Sequence, residues 1–232
     1  MELSKKLIWI LPLTLILGIF IFYFFDFQEI FAFEKISQNY MNFKEYTNKN
    51  LIYSYGIFSI SYILVVSFSI PIASTLTILG GMLFGWNAFF IIVFSATIGS
   101  IIVFIAAKTI ANHFFKQKTF SFFNKLKKGF KQNDLLYLIS LRLIPLIPFW
   151  VVNVIPAFFN MKIHSYILGT FIGIIPGTFV YVWLSISLNT ILISDEKLDF
   201  SIYKDPSIIG SLTALGLFLL FHAYSKKIHN SD

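Results

Sequence analysis

Residues 51 to 107 read LIYSYGIFSISYILVVSFSIPIASTLTILGGMLFGWNAFFIIVFSATIGSIIVFIAA, a run without a single Asp, Glu, Lys, Arg or His. A helix rises 1.5 Å per residue, so about 20 apolar residues cross a hydrocarbon core of about 30 Å. The run is too long for one such crossing, and two ordinary crossings would need a polar loop that it lacks. Pro71 and the pair Gly80-Gly81 mark where helix would break. Broken helix at membrane depth is tolerated only where protein or a wet cavity covers it. We therefore read Leu51 to Phe84 as a re-entrant helical hairpin closed by Gly85, followed by a full crossing from Trp86 to Ile110. Gly99-Ser100 gives that crossing a small-residue packing patch.

Composition agrees with a lipid solvent. The 232 residues are 57% apolar and only 12% charged, against about 25% charged in ordinary soluble domains. The formal charge of +7 would point to nucleic acid in a soluble protein. Here the charges lie between apolar segments, where topology and anionic headgroups explain them, so no nucleic-acid partner is expected. The chain has no cysteine, which excludes disulfides and thiolate metal sites.

The same alternation extends in both directions. Toward the N-terminus, Leu7 to Phe25 is apolar, and exceeds the core of a signal peptide, so it reads as a retained first crossing. Asp26 to Asn50 follows, with Phe27, Ile30, Phe31, Tyr40, Phe43 and Tyr46 recurring at threes and fours among charges. That spacing predicts an amphipathic helix lying at the interface, or else a linker. Beyond the first hairpin, His113 to Lys131 is rich in lysine and phenylalanine, as befits a basic interfacial helix or an inside loop. Leu135 to Met161 is apolar again but broken by Pro145, Pro148 and Pro156, and reads as a second re-entrant hairpin over about residues 135–162. Ser165 to Ile193 crosses, with Gly169, Gly173, Pro176 and Gly177 along it, and Ser207 to Tyr224 crosses last.

The expected fold class is thus an all-α polytopic membrane protein with four transmembrane helices, two inverted re-entrant helical hairpins and amphipathic interfacial helices. Residues 1–50 form the first crossing and interfacial segment, 51–193 the core with both hairpins, and 194–232 the last crossing and a short tail. With both termini cytoplasmic, twelve lysines fall inside and five outside, the latter diluted by eight carboxylates, which satisfies the positive-inside rule. Placing Ile70-Pro71 on Ile144-Pro145 also brings Phe84 onto Phe158 and Gly99 onto Gly173 without a gap. Two such halves, opening on opposite faces, would be inverted repeats of the kind found in secondary transporters.

Arg142 is the only arginine, set in the run Leu141-Arg142-Leu143-Ile144-Pro145-Leu146-Ile147-Pro148. Its guanidinium stays charged and offers five donors suited to phosphate or carboxylate. An arginine buried in a bilayer is costly, so the default reading is a binding or translocation site, and the alternative is snorkelling to the headgroups. Pro145, Pro148 and Pro156 free backbone carbonyls, and Asn153 is a hydrogen-bond partner or a turn residue. In the first hairpin Pro71 and the approachable backbone of Gly80 and Gly81 are further binding candidates. Gly85, Gly99, Pro156, Gly173, Pro176 and Gly177 are expected to be structural. No HExxH, P-loop, GxGxxG, GxSxG or CxxC arrangement appears, and no cluster of acids suits a metal. Neither an enzyme nor a bound metal or cofactor is expected.

The sequence Gly80-Gly81-Met82-Leu83-Phe84-Gly85 and the run from Arg142 through Pro145, Pro148 and Phe149 to Asn153 resemble the DedA superfamily, also called the SNARE-associated or VTT-domain family. The resemblance is to its vacuolar-sorting branch as found in bacteria, and covers about Tyr40 to Leu188. It implies two inverted re-entrant hairpins and lipid translocation: scrambling of phospholipids, or recycling of undecaprenyl phosphate, in a bacterial inner membrane. On that resemblance Arg142 would grip phosphate, Pro145 and Pro148 would break the hairpin, and Asn153 would sit at its tip. The DedA branch proper carries acidic residues in or beside its first hairpin, and this chain has none from Leu51 to Ala107. The expected partners are membrane lipids with anionic headgroups, with a homo-oligomer allowed by the small-residue faces. A carrier of small anions or other solutes satisfies a lone positive charge equally, and a membrane scaffold acting through its basic helix is the third reading.

Overall fold

The computed structural model describes residues 39–114, 133–144, 147–159 and 161–193, together with Leu13, Leu17, Phe20, Phe24 and Thr213. Most of the expected first crossing, residues 26–38 of the interfacial segment, the basic stretch 115–131, Pro145 and nearly all of the last crossing lie outside the described residues. Among the described residues every regular element is helical. The helices are α1 (Tyr40–Lys49), α2 (Leu51–Ser67), α3 (Ala73–Phe84), α4 (Asn87–Phe114), α5 (133–143), α6 (Phe149–Phe158) and α7 (Ile163–Ile193). Asn87–Ala111 within α4 and Ile163–Ile186 within α7 are long and apolar enough to cross a membrane. The apolar helices α3 and α6 have 12 and 10 residues, and so reach only about 18 and 15 Å, well short of a bilayer core.

The described chain packs as two compact units, one holding residues 39–99 and 177–193, the other 100–114, 133–144, 147–159 and 161–176. In the first, α2 and α3 are antiparallel arms of a hairpin. Tyr62 meets Thr77 nearest the turn, while Phe58 and Tyr55 meet Phe84 farther out. The turn is set by the backbone. Ser69 N–H bonds the Val66 carbonyl and Ile70 N–H bonds the Val65 carbonyl, both at 2.9 Å, which is the Schellman closure of a helix. Ser69 has φ 51°, a left-handed conformation that usually falls to glycine. Pro71 then blocks any continuation of α2.

Gly80 and Gly81 do not break the helix, contrary to the sequence expectation. They lie within α3, which ends at Gly85, where φ is 59°. The pair is glycine because neighbours press on it: a Cβ at Gly80 would stand 2.5 Å from the Phe58 ring, and one at Gly81 2.5 Å from Ser185 Cβ. Gly99 is equally constrained, with Val66 Cβ at 2.7 Å and the Ile63 carbonyl at 2.8 Å from a Cβ built there. The α3 C-terminus is closed by α1, since Tyr40 Oη and Lys44 Nζ donate to the Met82 carbonyl at 3.1 and 3.3 Å. A lysine at that pole also meets the negative end of the helix dipole.

In the second unit the Asn133 carboxamide accepts the Leu136 N–H at 3.1 Å, as an N-cap does. Ile147 N–H donates to the Ile144 carbonyl at 3.2 Å, and α6 starts behind Pro148. The core is built from α4, α5, α6 and α7 around Phe104, Leu138, Val152, Ala157 and Tyr166. Lys108 donates to the Met161 carbonyl at 3.0 Å just past the end of α6, so a lysine meets a carbonyl at the end of the returning arm in each unit.

The element boundaries repeat. First arms end at 67 and 143, return arms begin at 73 and 149, and long helices begin at 87 and 163, each pair 76 residues apart. The ungapped offset that superimposes Gly99 on Gly173 is therefore two residues short of the register set by the hairpins. At their glycines the two units use matching spacings: Ile63 and Val66 press on Gly99, Ile139 and Arg142 on Gly173.

Candidate functional site

Arg142 lies one residue before the end of α5, and its half-buried side chain extends over Gly173 of α7. A Cβ on that glycine would be 3.0 Å from Arg142 Cβ and 3.2 Å from its Cδ. The absence of a side chain at 173 is what lets the arginine stem lie flat on α7. Gly169 does the same for Leu138 one turn earlier, at 3.1 Å, so Gly169 and Gly173 form a close-approach strip of the small-xxx-small kind.

The guanidinium is held by neutral groups. Its Nη2 donates to Asn153 Oδ1 at 3.2 Å and to Tyr166 Oη at 3.1 Å. The Tyr166 hydroxyl has one proton, and donates it to the Ser100 carbonyl at 3.2 Å. Its contacts with the Asn153 carbonyl and Oδ1 are longer, at 3.5 Å. Helices α4, α5, α6 and α7 each thus contribute one group to a single chain of hydrogen bonds. The Tyr166 ring is fully buried and stacks on Phe104 with centroids 4.1 Å apart, an arrangement worth about 1 kcal/mol beyond its packing area.

Two nitrogens in this cluster, Arg142 Nε and Asn153 Nδ2, are both buried and without an acceptor among the described residues. Nor does a carboxylate pair with Arg142 among the described residues, where the ion pair seen is Lys49 with Glu45 on α1. A buried charge without a counter-ion is normally costly by several kcal/mol. Orphaned N–H groups beside it add about 1–3 kcal/mol each. Chemically, an anion with acceptor oxygens would supply both the counter-charge and the missing acceptors.

The remaining candidates are distributed as follows. Asn153 is fully buried and Pro156 is buried inside α6, where it removes the donor for the Val152 carbonyl. Pro148 is exposed and occupies the N-cap position of α6. Pro71, Gly80, Gly81, Gly85 and Gly99 belong to the first unit, where the Cα faces of Gly80, Gly81 and Gly99 are filled by Phe58, Ser185 and Val66. Pro176 lies inside α7, and Gly177 has no atom within 4 Å of a Cβ position. Among the described residues no three His, Asp or Glu side chains gather as a metal site would require. Tyr166 and the Ser100 carbonyl were not foreseen. A signal existed, since Tyr166, Gly169 and Gly173 fall on one helical face at i, i+3 and i+7.

Comparison with known proteins identifies the family of this chain. The family model described as the VTT domain matches residues 70–187. Transmembrane protein 41 homolog of Dictyostelium discoideum is 29% identical over 176 residues, 74% of this chain and 52% of its own length. Its namesake in Caenorhabditis elegans is 29% identical over 126 residues, 52% of this chain and 51% of that protein. Transmembrane protein 41B of Xenopus tropicalis is 23% identical over 173 residues, 72% of this chain and 60% of that protein. The chain spans about half the length of these curated relatives. No solved structure matches. With the domain covering half of the sequence and transmembrane proteins as its relatives, the chain belongs to the VTT-domain, or DedA, family of membrane proteins.

Proposed function

We propose that the protein is a lipid transporter of flippase or scramblase type, moving a phosphate-bearing lipid across a bacterial inner membrane, with Arg142 binding the headgroup. The observation that carries this reading is the guanidinium, bonded to neutral Asn153 and Tyr166 with Nε left over and no carboxylate partner among the described residues. A phosphate on a phospholipid or on undecaprenyl phosphate supplies the missing charge and the missing acceptors, while its acyl or prenyl tail stays in lipid. Four crossings, two inverted re-entrant hairpins and cytoplasmic termini are the topology that goes with this role. The short arms α3 and α6 support it, as does the lysine bias of the sequence. Transport is a binding and release cycle, and no catalytic step is assigned to the chain.

A free anion would meet the same donors, so a small-anion carrier is the second reading. Proteoliposomes holding the native chain separate the two. Transbilayer movement of labelled phospholipid or undecaprenyl phosphate, with trapped phosphate and sulfate retained, supports the lipid reading. Release of the trapped anions with labelled lipid held in its leaflet supports the second.

A further inference from the structure

We infer that Tyr166 is a positioning residue that holds Nη2 of the Arg142 guanidinium, so that Arg142 Nε is left to donate to an oxyanion. This rests on the anion-binding reading of Arg142 given above. A phenol hydroxyl both donates and accepts through a single atom. Because its proton is committed to the Ser100 carbonyl at 3.2 Å, its lone pairs face Arg142 and accept from Nη2 at 3.1 Å. Nη2 has two protons, and the second goes to Asn153 Oδ1 at 3.2 Å. Both are then occupied, and the guanidinium is fixed about its Cζ–Nε bond. A carboxamide facing a guanidinium presents its oxygen, which turns Nδ2 away. Arg142 Nε and Asn153 Nδ2 are the nitrogens of this cluster that are buried without a partner among the described residues. Phe104 stacks on the Tyr166 ring with centroids 4.1 Å apart and, having no donor or acceptor, takes no part in this chain of hydrogen bonds.

Arg142 is the only arginine, so arginine-specific 15N labelling reports a single guanidinium. The native chain in a nonionic detergent is expected to show resolved Nη signals, slowed by hindered rotation. Its Nε–H resonance should shift on titration with dihexanoyl phosphatidylglycerol or inorganic phosphate, the stronger of the two identifying a lipid headgroup or a free anion as the better guest. Tyr166→Phe keeps the ring and removes the hydroxyl, and is expected to merge the Nη signals and weaken the probe about tenfold, the usual size of a hydrogen bond to a charged group. Phe104→Leu loosens the stack while keeping the hydroxyl, and should lower thermal stability with affinity nearly unchanged. Equal affinity in the native chain and Tyr166→Phe overturns the positioning role while leaving the anion site standing. Equal losses in Tyr166→Phe and Phe104→Leu assign Tyr166 to packing and also overturn it. A native Nε–H signal that ignores both probes overturns this inference together with the reading it rests on.

Discussion

A Cβ on Gly173 would stand 3.0 Å from the Cβ of Arg142 and 3.3 Å from the Cα of Ile139. The first neighbour is the root of a side chain and the second is backbone, so neither can swing away. Gly173→Ala should push α5 off α7 by a few tenths of an ångström, with an overpacking penalty of about 1–3 kcal/mol. Thermal unfolding in detergent should show the loss, and labelled-lipid movement should fall with it, because the guanidinium shifts with its helix. Gly177→Ala is the control. With nothing within 4 Å of its Cβ position, it should be neutral or stabilise the helix by up to about 1 kcal/mol.

Asn153→Asp places a carboxylate where a carboxamide oxygen now accepts from Arg142 at 3.2 Å. The result is an ion pair inside the site, which neutralises the guanidinium and converts the orphaned Nδ2 into an acceptor. The variant should be at least as stable as the native chain, yet lose anion binding and transport by tenfold or more. A variant that transports at the native rate would mean that the uncompensated charge has no part in function.

Ser69 adopts φ 51° at the closure of α2, a conformation costing a residue with a Cβ about 1 kcal/mol. Ser69→Gly should therefore raise the unfolding midpoint slightly and leave transport intact. A drop in stability would mean that the serine side chain contributes something beyond the turn.

Much of this architecture was legible in the sequence because lipid removes options. A charge-free run longer than one crossing and broken by Pro71 has few solutions other than a hairpin, and α2 and α3 form one. The boundaries of the long helices fell within a few residues of expectation, and Gly85 marks the start of α4. Gly80-Gly81 misled because glycine is used both to end helices and to admit a neighbour, and only the positions of Phe58 and Ser185 distinguish the two uses. The two-residue slip between the repeats was hidden because the shared Ile-Pro pairs align at an offset of 74 residues, whereas the helix boundaries repeat at 76. Arg142 and Asn153 were visible as polar groups in an apolar run. Tyr166 was not, because one tyrosine among eleven is not singled out by composition, and its role depends on a carbonyl 66 residues away at Ser100. Lys44 and Lys108 were read as topology markers, and the structure adds that both bond carbonyls at the ends of the returning arms.

The most direct test of the central claim is transbilayer movement of labelled phospholipid and undecaprenyl phosphate in proteoliposomes, comparing the native chain with Arg142→Ala and Arg142→Lys at matched incorporation. Binding of the headgroup by Arg142 predicts movement by the native chain, a fall of at least tenfold in Arg142→Ala, and partial recovery in Arg142→Lys, which restores charge without the planar fork. Native rates in a folded Arg142→Ala variant would contradict the claim and remove the arginine from the transport path.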